Sequence, residues 1–568
     1  MKKNYRSLFL IPFLLSGLTA CSNNETNNKG DTIYVHVLNA EDYMDMSLLD
    51  SFSEMIYERD QKKVSIIYDT YDTNETMYNS LKTGKTTYDL ICCSEYMVQR
   101  LANEGFLHTL DFSKLPNYKK YTTKYLHSFD DNSGKLNLLV VNNNSGTYTL
   151  ADYAAGYMWG TLGILFNPDY VLTNNEAKFN NNPEWKDLSY EGRKEKLIET
   201  FSSSDGYSFL WDDLIAGTQS IKDSMRDTYA IGNFEVFKDY YLNTDDSYDK
   251  RNEKFNDSSD ETIELIKNKL IELKSNIFGF EVDSGKNDIV TQKIGVNVAW
   301  SGDAVNSINR GYYADDDWTI VRDDIVELYY TIPEIGANVW MDCFATPLQN
   351  NESYYSSDEY KYTLEFLDYL SSPDNAIANV YYNGYTSFIT SNSSSDEIDN
   401  AMLAYMLYSY DFSDGDEDED LSSYETYDIT PFFNIDENID SFSVDLSYVS
   451  EALLEEEVDD RVFTFSKDEN GEIKILIHYD PSSFEGRLLK AQYPERSDTN
   501  SLYVMNDYGI QNDKIVSMWE DVKVNPLPLW IVVSLLTFVI LVLGYLGSYK
   551  LIRMYKLKRR KRLRALNK

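Results

Sequence analysis

The chain has 568 residues, enough for several domains or one large two-lobed body, and 42% of them are apolar. It carries 52 basic and 93 acidic side chains, with three basics in the first 21 residues and ten in the last 19, and neither stretch holds an acid. The body between sets 39 basic residues against 93 acids, a balance that argues against nucleic acid as a partner and favours cations.

The first 21 residues, "MKKNYRSLFLIPFLLSGLTAC", have a basic start, an apolar run and small residues before a cysteine, the pattern of a secretory signal. Leu18-Thr19-Ala20-Cys21 resembles a bacterial lipobox, which makes Cys21 the expected lipidated first residue of the mature chain. Residues 22–30 read as a polar tether. From there strand-like and helix-like segments alternate. "DTIYVHVLNA" is a strand, and "SLLDSFSEMIYERD" has helical spacing in Leu48, Leu49, Phe52, Met55 and Ile56. "KVSIIYDTY" is a strand, "NETMYNSLKTG" a helix stopped by Gly84, "YDLICCS" a strand and "EYMVQRLANEG" a helix stopped by Gly105. This rhythm predicts a mainly parallel α/β sheet with ligands at the C-terminal ends of its strands.

A second α/β region runs from about Trp159 to Trp340 and includes "ETIELIKNKLIELKSN" and the strand "IGVNVAWS". Residues 391–490 read as an acidic insertion. In it "DFSDGDEDEDLSSYETYD" is a solvated loop, and "RVFTFSKDENGEIKILIHYD" is a hairpin about Asn470-Gly471. Residues 529–549 hold no charge, and about 20 such residues cross a bilayer. The basic tail 550–568 that follows is placed in the cytoplasm by the positive-inside rule, with the body outside the cell.

Catalytic motifs are scarce. The four histidines, His36, His108, His127 and His478, form no HExxH, and no GxSxG, Walker A or GxGxxG is present. Cys92, Cys93 and Cys343 have no metal-binding spacing and read as core residues. The expectation is therefore a protein that is not an enzyme and takes no cofactor or metal. What recurs is an aromatic ring near a carboxylate or small polar residue at strand ends. "NAEDY" gives Glu41, Asp42 and Tyr43, and "CSEY" gives Ser94 and Tyr96. "AWSGD" gives Trp300, "VWMD" gives Trp340 and Asp342, and "NGY" gives Tyr385. Carboxylates fix ammonium groups through charge-assisted hydrogen bonds, and aromatic faces hold methylenes and attract cations. No Lys or Arg lies within ten residues of Asp342, so its partner is expected to be a ligand rather than the protein.

The stretch from "YDTYDTNETMYNSLKTGKTTYDL" to "FLHTLDFSKLPN" resembles the N-terminal lobe of the spermidine/putrescine-binding proteins of ABC transporters. "YMWGTLGILFN", "WKDL", "DSMRDTYA", "VAWSGDA", "VWMDCFATP", "FLDYLSSPDNA" and "NGYTS" follow in that family's order. The resemblance covers about residues 32–390, resumes near "YPERSDTNSLYVMNDYGIQND", and omits the insertion and the C-terminal helix. It implies an α/β two-lobed periplasmic-binding-protein fold, type II-like, closing about a hinge. Lobe 1 would be 31–157 with about 342–390, and lobe 2 would be 158–341 with about 491–524. The implied ligand contacts are Asp42, Tyr43, Ser94, Tyr96, Trp300, Trp340, Asp342 and Tyr385. Asp227 stands where the family has a Glu for the ligand's other amine, and Gln511 is a late contact. The implied partners are putrescine or spermidine, an ABC permease with its ATPase subunit, and the membrane. The chain departs from the pattern at Ala40, where Trp is frequent, at Ser224, where one member type has a second Asp, and at Asp227, one methylene short of Glu. Another organic cation on the same fold, or a surface receptor using the insertion, are the alternatives.

Overall fold

The computed structural model describes residues 32–84, 87–315, 320–393, 398–410, 424–447, 449, 461–524 and 529–566. The expected signal segment, Cys21, the tether and most of the acidic loop (411–423) lie outside the described residues.

The chain opens as β1 (Ile33–Ala40), α1 (Ser47–Asp60), β2 (Val64–Tyr71), α2 (Asn74–Thr83), β3 (Leu90–Ser94) and α3 (Glu95–Asn103). Local chemistry sets these boundaries. The Thr73 side chain accepts from the Thr76 N–H at the start of α2, and Gly84 ends it in the left-handed region at φ 61°. β4 (Ala155–Phe166) follows, twelve residues long and buried throughout. Then come β5 (Gln219–Lys222), α4 (Met225–Val236), β6 (Gly279–Glu281), β7 (Val296–Trp300), α5 (Ser301–Tyr312), β8 (Ala337–Pro347) and α6 (Pro373–Asn383).

The main sheet runs β2-β1-β3-β8-β4-β7-β5-β6. Read inward from either edge, the order is second, first and third strand of a parallel βαβ set, then a long returning antiparallel strand. The two halves are thus pseudo-equivalent and meet at the antiparallel pair β8–β4. Two apolar cores fill the body, the first reaching across the crossing to take in Ala304, Val305 and Ile308 of α5. Val35, Phe52, Ile91, Val98, Cys343 and Phe366 lie in the first, and Leu162, Phe166, Phe201, Tyr229, Ile266 and Trp519 in the second. β4 passes from one to the other, with Trp159 in the first and Leu162 in the second. This is the two-lobed α/β architecture the sequence implies.

Residues 391–490 are not an appendage. α7 (Ala401–Tyr410) buries Met402, Leu403, Met406 and Leu407 in the first core. The Asn470-Gly471 turn forms, with Gly471 at φ 80° and its N–H bonded to the Asp468 carbonyl. The hairpin expected about it is corrected, because beyond one bridge, Lys467 to Ile473, its two runs take other partners. Val462–Ser466 pairs with Ser441–Asp445, and Leu476–Tyr479 pairs with Glu425–Asp428. Burial decides this, since Ile473, Ile475 and Ile477 turn into the first core.

The returning segment touches both cores, with Leu502 and Val504 in the first and Tyr503, Met505 and Tyr508 in the second. α8 (Asn512–Lys523) adds Ile515, Met518 and Trp519 to the second. α9 (Leu529–Leu566) is one continuous helix of 38 residues, about 57 Å long. Residues 533–564 of it are long and apolar enough to cross a membrane, and their apolar window is not buried against the body.

Candidate functional site

The pseudo-symmetry places the site. Ser94 ends β3 and precedes α3, and Trp300 ends β7 and precedes α5 in the same way in the other half. Tyr43 follows β1, and Lys222 ends β5, the equivalent first strand. All four stand at C-terminal strand ends that face the β8–β4 crossing.

Asp342 lies on β8, where the pairing to β4 shifts register between Asp342 and Cys343. Its Oδ1 accepts from Ser94 Oγ at 2.7 Å, and its Oδ2 accepts from the Tyr43 hydroxyl at 2.7 Å. Its partners in the protein are therefore two neutral hydroxyls, a correction to the expectation of none. Among the described residues no cationic side chain forms an ion pair with it. Burial pushes its carboxyl above the ordinary range, and the two hydroxyls only partly offset this. Asn74 Nδ2 donates to Ser94 Oγ and to the Tyr96 hydroxyl, both at 3.0 Å, and so locks that corner.

Three rings enclose the carboxylate. Tyr43 and Tyr385 pack edge to face at 5.2 Å, and Trp340 meets Tyr385 at 5.5 Å. Tyr385 is aimed by the end of α6, where Gly384 takes φ 73° and the Asn383 side chain accepts from the Tyr385 N–H. Backbone without Cβ lets the rings close in. A Cβ on Gly302 would overlap the Tyr385 ring, and one on Gly160 would overlap the Ser301 hydroxyl and the Trp340 indole. The Trp340 Nε1 is buried with no hydrogen-bond partner among the described residues.

Asp227 lies in the first turn of α4, whose N-cap is Ser224, with Ser224 Oγ accepting from the Asp227 N–H at 3.3 Å. The family departure at Ser224 is thus a helix cap beneath the second carboxylate. Asp227 Oδ2 accepts from Trp300 Nε1 at 3.2 Å, and burial raises its carboxyl. The two carboxylates belong to opposite halves of the sheet.

The structure does not bring every expected residue in. Asp42 is exposed at φ 51°, at the rim, and no hydrogen bond ties it to the cluster. Gln511 is half-buried, and its Nε2 donates to Asp260 Oδ1 at 3.4 Å. The residue of that segment that reaches inward is Tyr508, whose ring lies 4.5 Å from the Arg226 guanidinium. Arg226 lies 3.7 Å from the Tyr96 ring on its other side, so it is clamped between one ring from each half.

Sequence reasoning missed Lys222, Glu281, Asp303, Arg226 and Glu95. Lys222 is 1% exposed and donates to Asp303 Oδ2 at 2.8 Å, while Glu281 Oε1 lies 3.2 Å away. Its ammonium lies 4.5 Å from the Trp300 ring centre, and Asp303 Oδ1 accepts from the Tyr385 hydroxyl at 3.0 Å. A lysine closing the strand "QSIK" was the available signal. Glu95 is fully buried. Its Oε2 accepts from the Met341 N–H at 2.9 Å, and burial pushes its carboxyl up to about 8.

A family described as Hypothetical lipoprotein (MG045 family) matches residues 1–140. The chain is 25% identical over 378 residues to the spermidine/putrescine-binding periplasmic protein of Escherichia coli (strain K12), covering 66% of this chain and 81% of that one. It is 26% identical over 345 residues to the putrescine-binding periplasmic protein PotF of the same organism, covering 60% and 74%. Among solved structures, the Tp0655 lipoprotein of Treponema pallidum aligns over 87% of this chain and 99% of its own, at 14% identity and a TM-score of 0.48. PotD of Streptococcus pneumoniae strain Canada MDR_19A aligns over 63% and 83%, at 21% identity and a TM-score of 0.41.

Proposed function

We propose, for a chain that is a relative of the spermidine/putrescine-binding proteins of ABC transporters, that it captures a polyamine between its two lobes outside the cell and delivers it to a membrane permease and its ATPase. The observation that carries this reading is Asp342, a half-buried carboxylate with hydroxyl donors but no ion-pair partner among the described residues, beside the rings of Tyr43, Trp340 and Tyr385. A ligand ammonium supplies the missing charge, its methylenes lie against the rings, and its other end meets Asp227 beside Trp300. Ligand that touches both halves favours the closed arrangement by its extra affinity for it. Arg226, between Tyr96 and Tyr508, holds the same closed arrangement from the protein side.

Tethering follows from the two ends. Cys21 carries lipid, α9 spans the bilayer, and the ten basic residues after position 549 lie on the cytoplasmic side. The test is equilibrium binding of putrescine, spermidine and spermine to the full chain in lipid nanodiscs. Saturable one-site binding is expected. Failure of all three to bind a folded chain refutes the polyamine reading.

A further inference from the structure

Lys222 is a charged side chain with its ammonium in the wall of the cation site. All its donors are spent, on Asp303 Oδ2 at 2.8 Å, the Val282 carbonyl at 3.2 Å and Glu281 Oε1 at 3.2 Å. A buried structural ion pair would need nothing more. This one is also joined to the site on two sides. Its ammonium lies over the Trp300 ring at 4.5 Å, and the Trp300 indole N–H bonds Asp227. Its partner Asp303 receives the hydroxyl of Tyr385, the ring packed against both Trp340 and Tyr43. Asp303 is therefore a third carboxylate bordering the aromatic cage, and the protein already supplies its counter-charge.

We propose that Lys222 is a resident ammonium that sets ligand choice, occupying the place a third ligand charge would take at Asp303 and leaving Asp342 and Asp227 for a linear diamine. This deepens the polyamine reading and rests on it. With Lys222 spent on Asp303 and Glu281, Asp342 and Asp227, from opposite halves, have no ion-pair partner among the described residues. A dication balances them, while a trication brings a charge that meets an Asp303 already paired with a fixed ammonium behind Trp300. Glu281 is not an alternative ligand group. It is held by the Gly285 N–H at 2.8 Å and Asn297 Nδ2 at 3.4 Å, and a Cβ on Gly285 would collide with both side chains.

The test measures putrescine and spermidine affinity on the full chain in nanodiscs, for wild type, Lys222→Met and the charge-balanced pair Lys222→Met/Glu281→Gln. The pair removes one charge of each sign, so it decides the matter if the single variant fails to fold. Wild type is expected to favour putrescine. Each folded variant is expected to shift the spermidine-to-putrescine affinity ratio toward spermidine at least about tenfold, since Asp303 gains a ligand ammonium. A merely structural lysine would weaken both ligands together and leave the ratio unmoved. A ratio unchanged within twofold in a folded variant that still binds both amines overturns the role of Lys222 and leaves the polyamine reading standing. Wild type preferring spermidine overturns it whichever variants fold. Neither amine binding wild type overturns the polyamine reading itself.

Discussion

Replacing Asp342 by Asn separates a binding role from a structural one, because the two roles predict opposite signs. Asn keeps the shape of the side chain, and the Ser94 and Tyr43 hydroxyls can each donate or accept, so both 2.7 Å contacts have a neutral replacement. The folded protein loses a half-buried carboxylate whose ionised form desolvation disfavours. The sign of the pH dependence follows. The folded carboxyl is raised above its ordinary value of 3.8, so its contribution to stability is full below that value and is lost as pH rises through the folded value. Asn has no such loss, so at pH 7 the variant is expected to melt at the wild-type temperature or above it. The ligand loses a charge-assisted partner worth about 1.5–3 kcal/mol, about ten- to a hundredfold in Kd. Radiolabelled putrescine in equilibrium dialysis reads the second effect, and thermal unfolding between pH 4 and 8 reads the first. Affinity within twofold of wild type, or a melting temperature that falls in step with affinity, would refute the assignment of Asp342 as the ammonium partner.

Gly302→Ala is expected to displace the Tyr385 ring, which stands where the new Cβ would be, and to weaken polyamine binding at least about tenfold while the far-ultraviolet circular dichroism stays unchanged. Glu95→Gln tests the buried carboxyl beside Met341, whose charged neighbours are Asp342 and Arg226. Wild type should lose stability as pH climbs from its ordinary 4.5 toward about 8, and urea titrations should show that slope flattened by a few kcal/mol at most in the variant. For the two anchors, Cys21→Ser alone and removal of residues 525–568 alone should each leave the chain in the membrane fraction, and only the combined change should release it.

Much of the scaffold was legible because it repeats short-range rules. Thr73 and Gly84 bracket a helix, apolar strands alternate with amphipathic helices, and Ser94, Trp300 and Asp342 sit where strands end or cross. What escaped depends on contacts between distant segments. Lys222 closes a strand and reads as solvated, yet Asp303, 81 residues later, buries it. Asp303 itself stood in "AWSGD", where an acid in a first helical turn reads as a dipole partner rather than a member of the site. Gln511 was placed by motif order, and its bond to Asp260, 251 residues earlier, is likewise invisible in the sequence. The hairpin about Gly471 obeyed its local signal at the turn and lost its strands to earlier partners, a competition that alternation alone cannot rank.

The register shift between β4 and β8 has a mechanical meaning. It falls at Asp342, next to Met158, between β8, whose core residues all lie in the first cluster, and β4, which contributes to both. An irregular step in a ladder is where the ladder bends with least loss of hydrogen bonds. The ladder to β3 on the other side is regular and pairs Asp342 with Ser94, so a bend between β4 and β8 leaves the contacts to Ser94 and Tyr43 in place. Under the proposed two-lobe capture, such a bend carries Asp342, Ser94 and Tyr43 together and separates them from Asp227 and Trp300, so release begins at the far carboxylate while the near one keeps its hydroxyls.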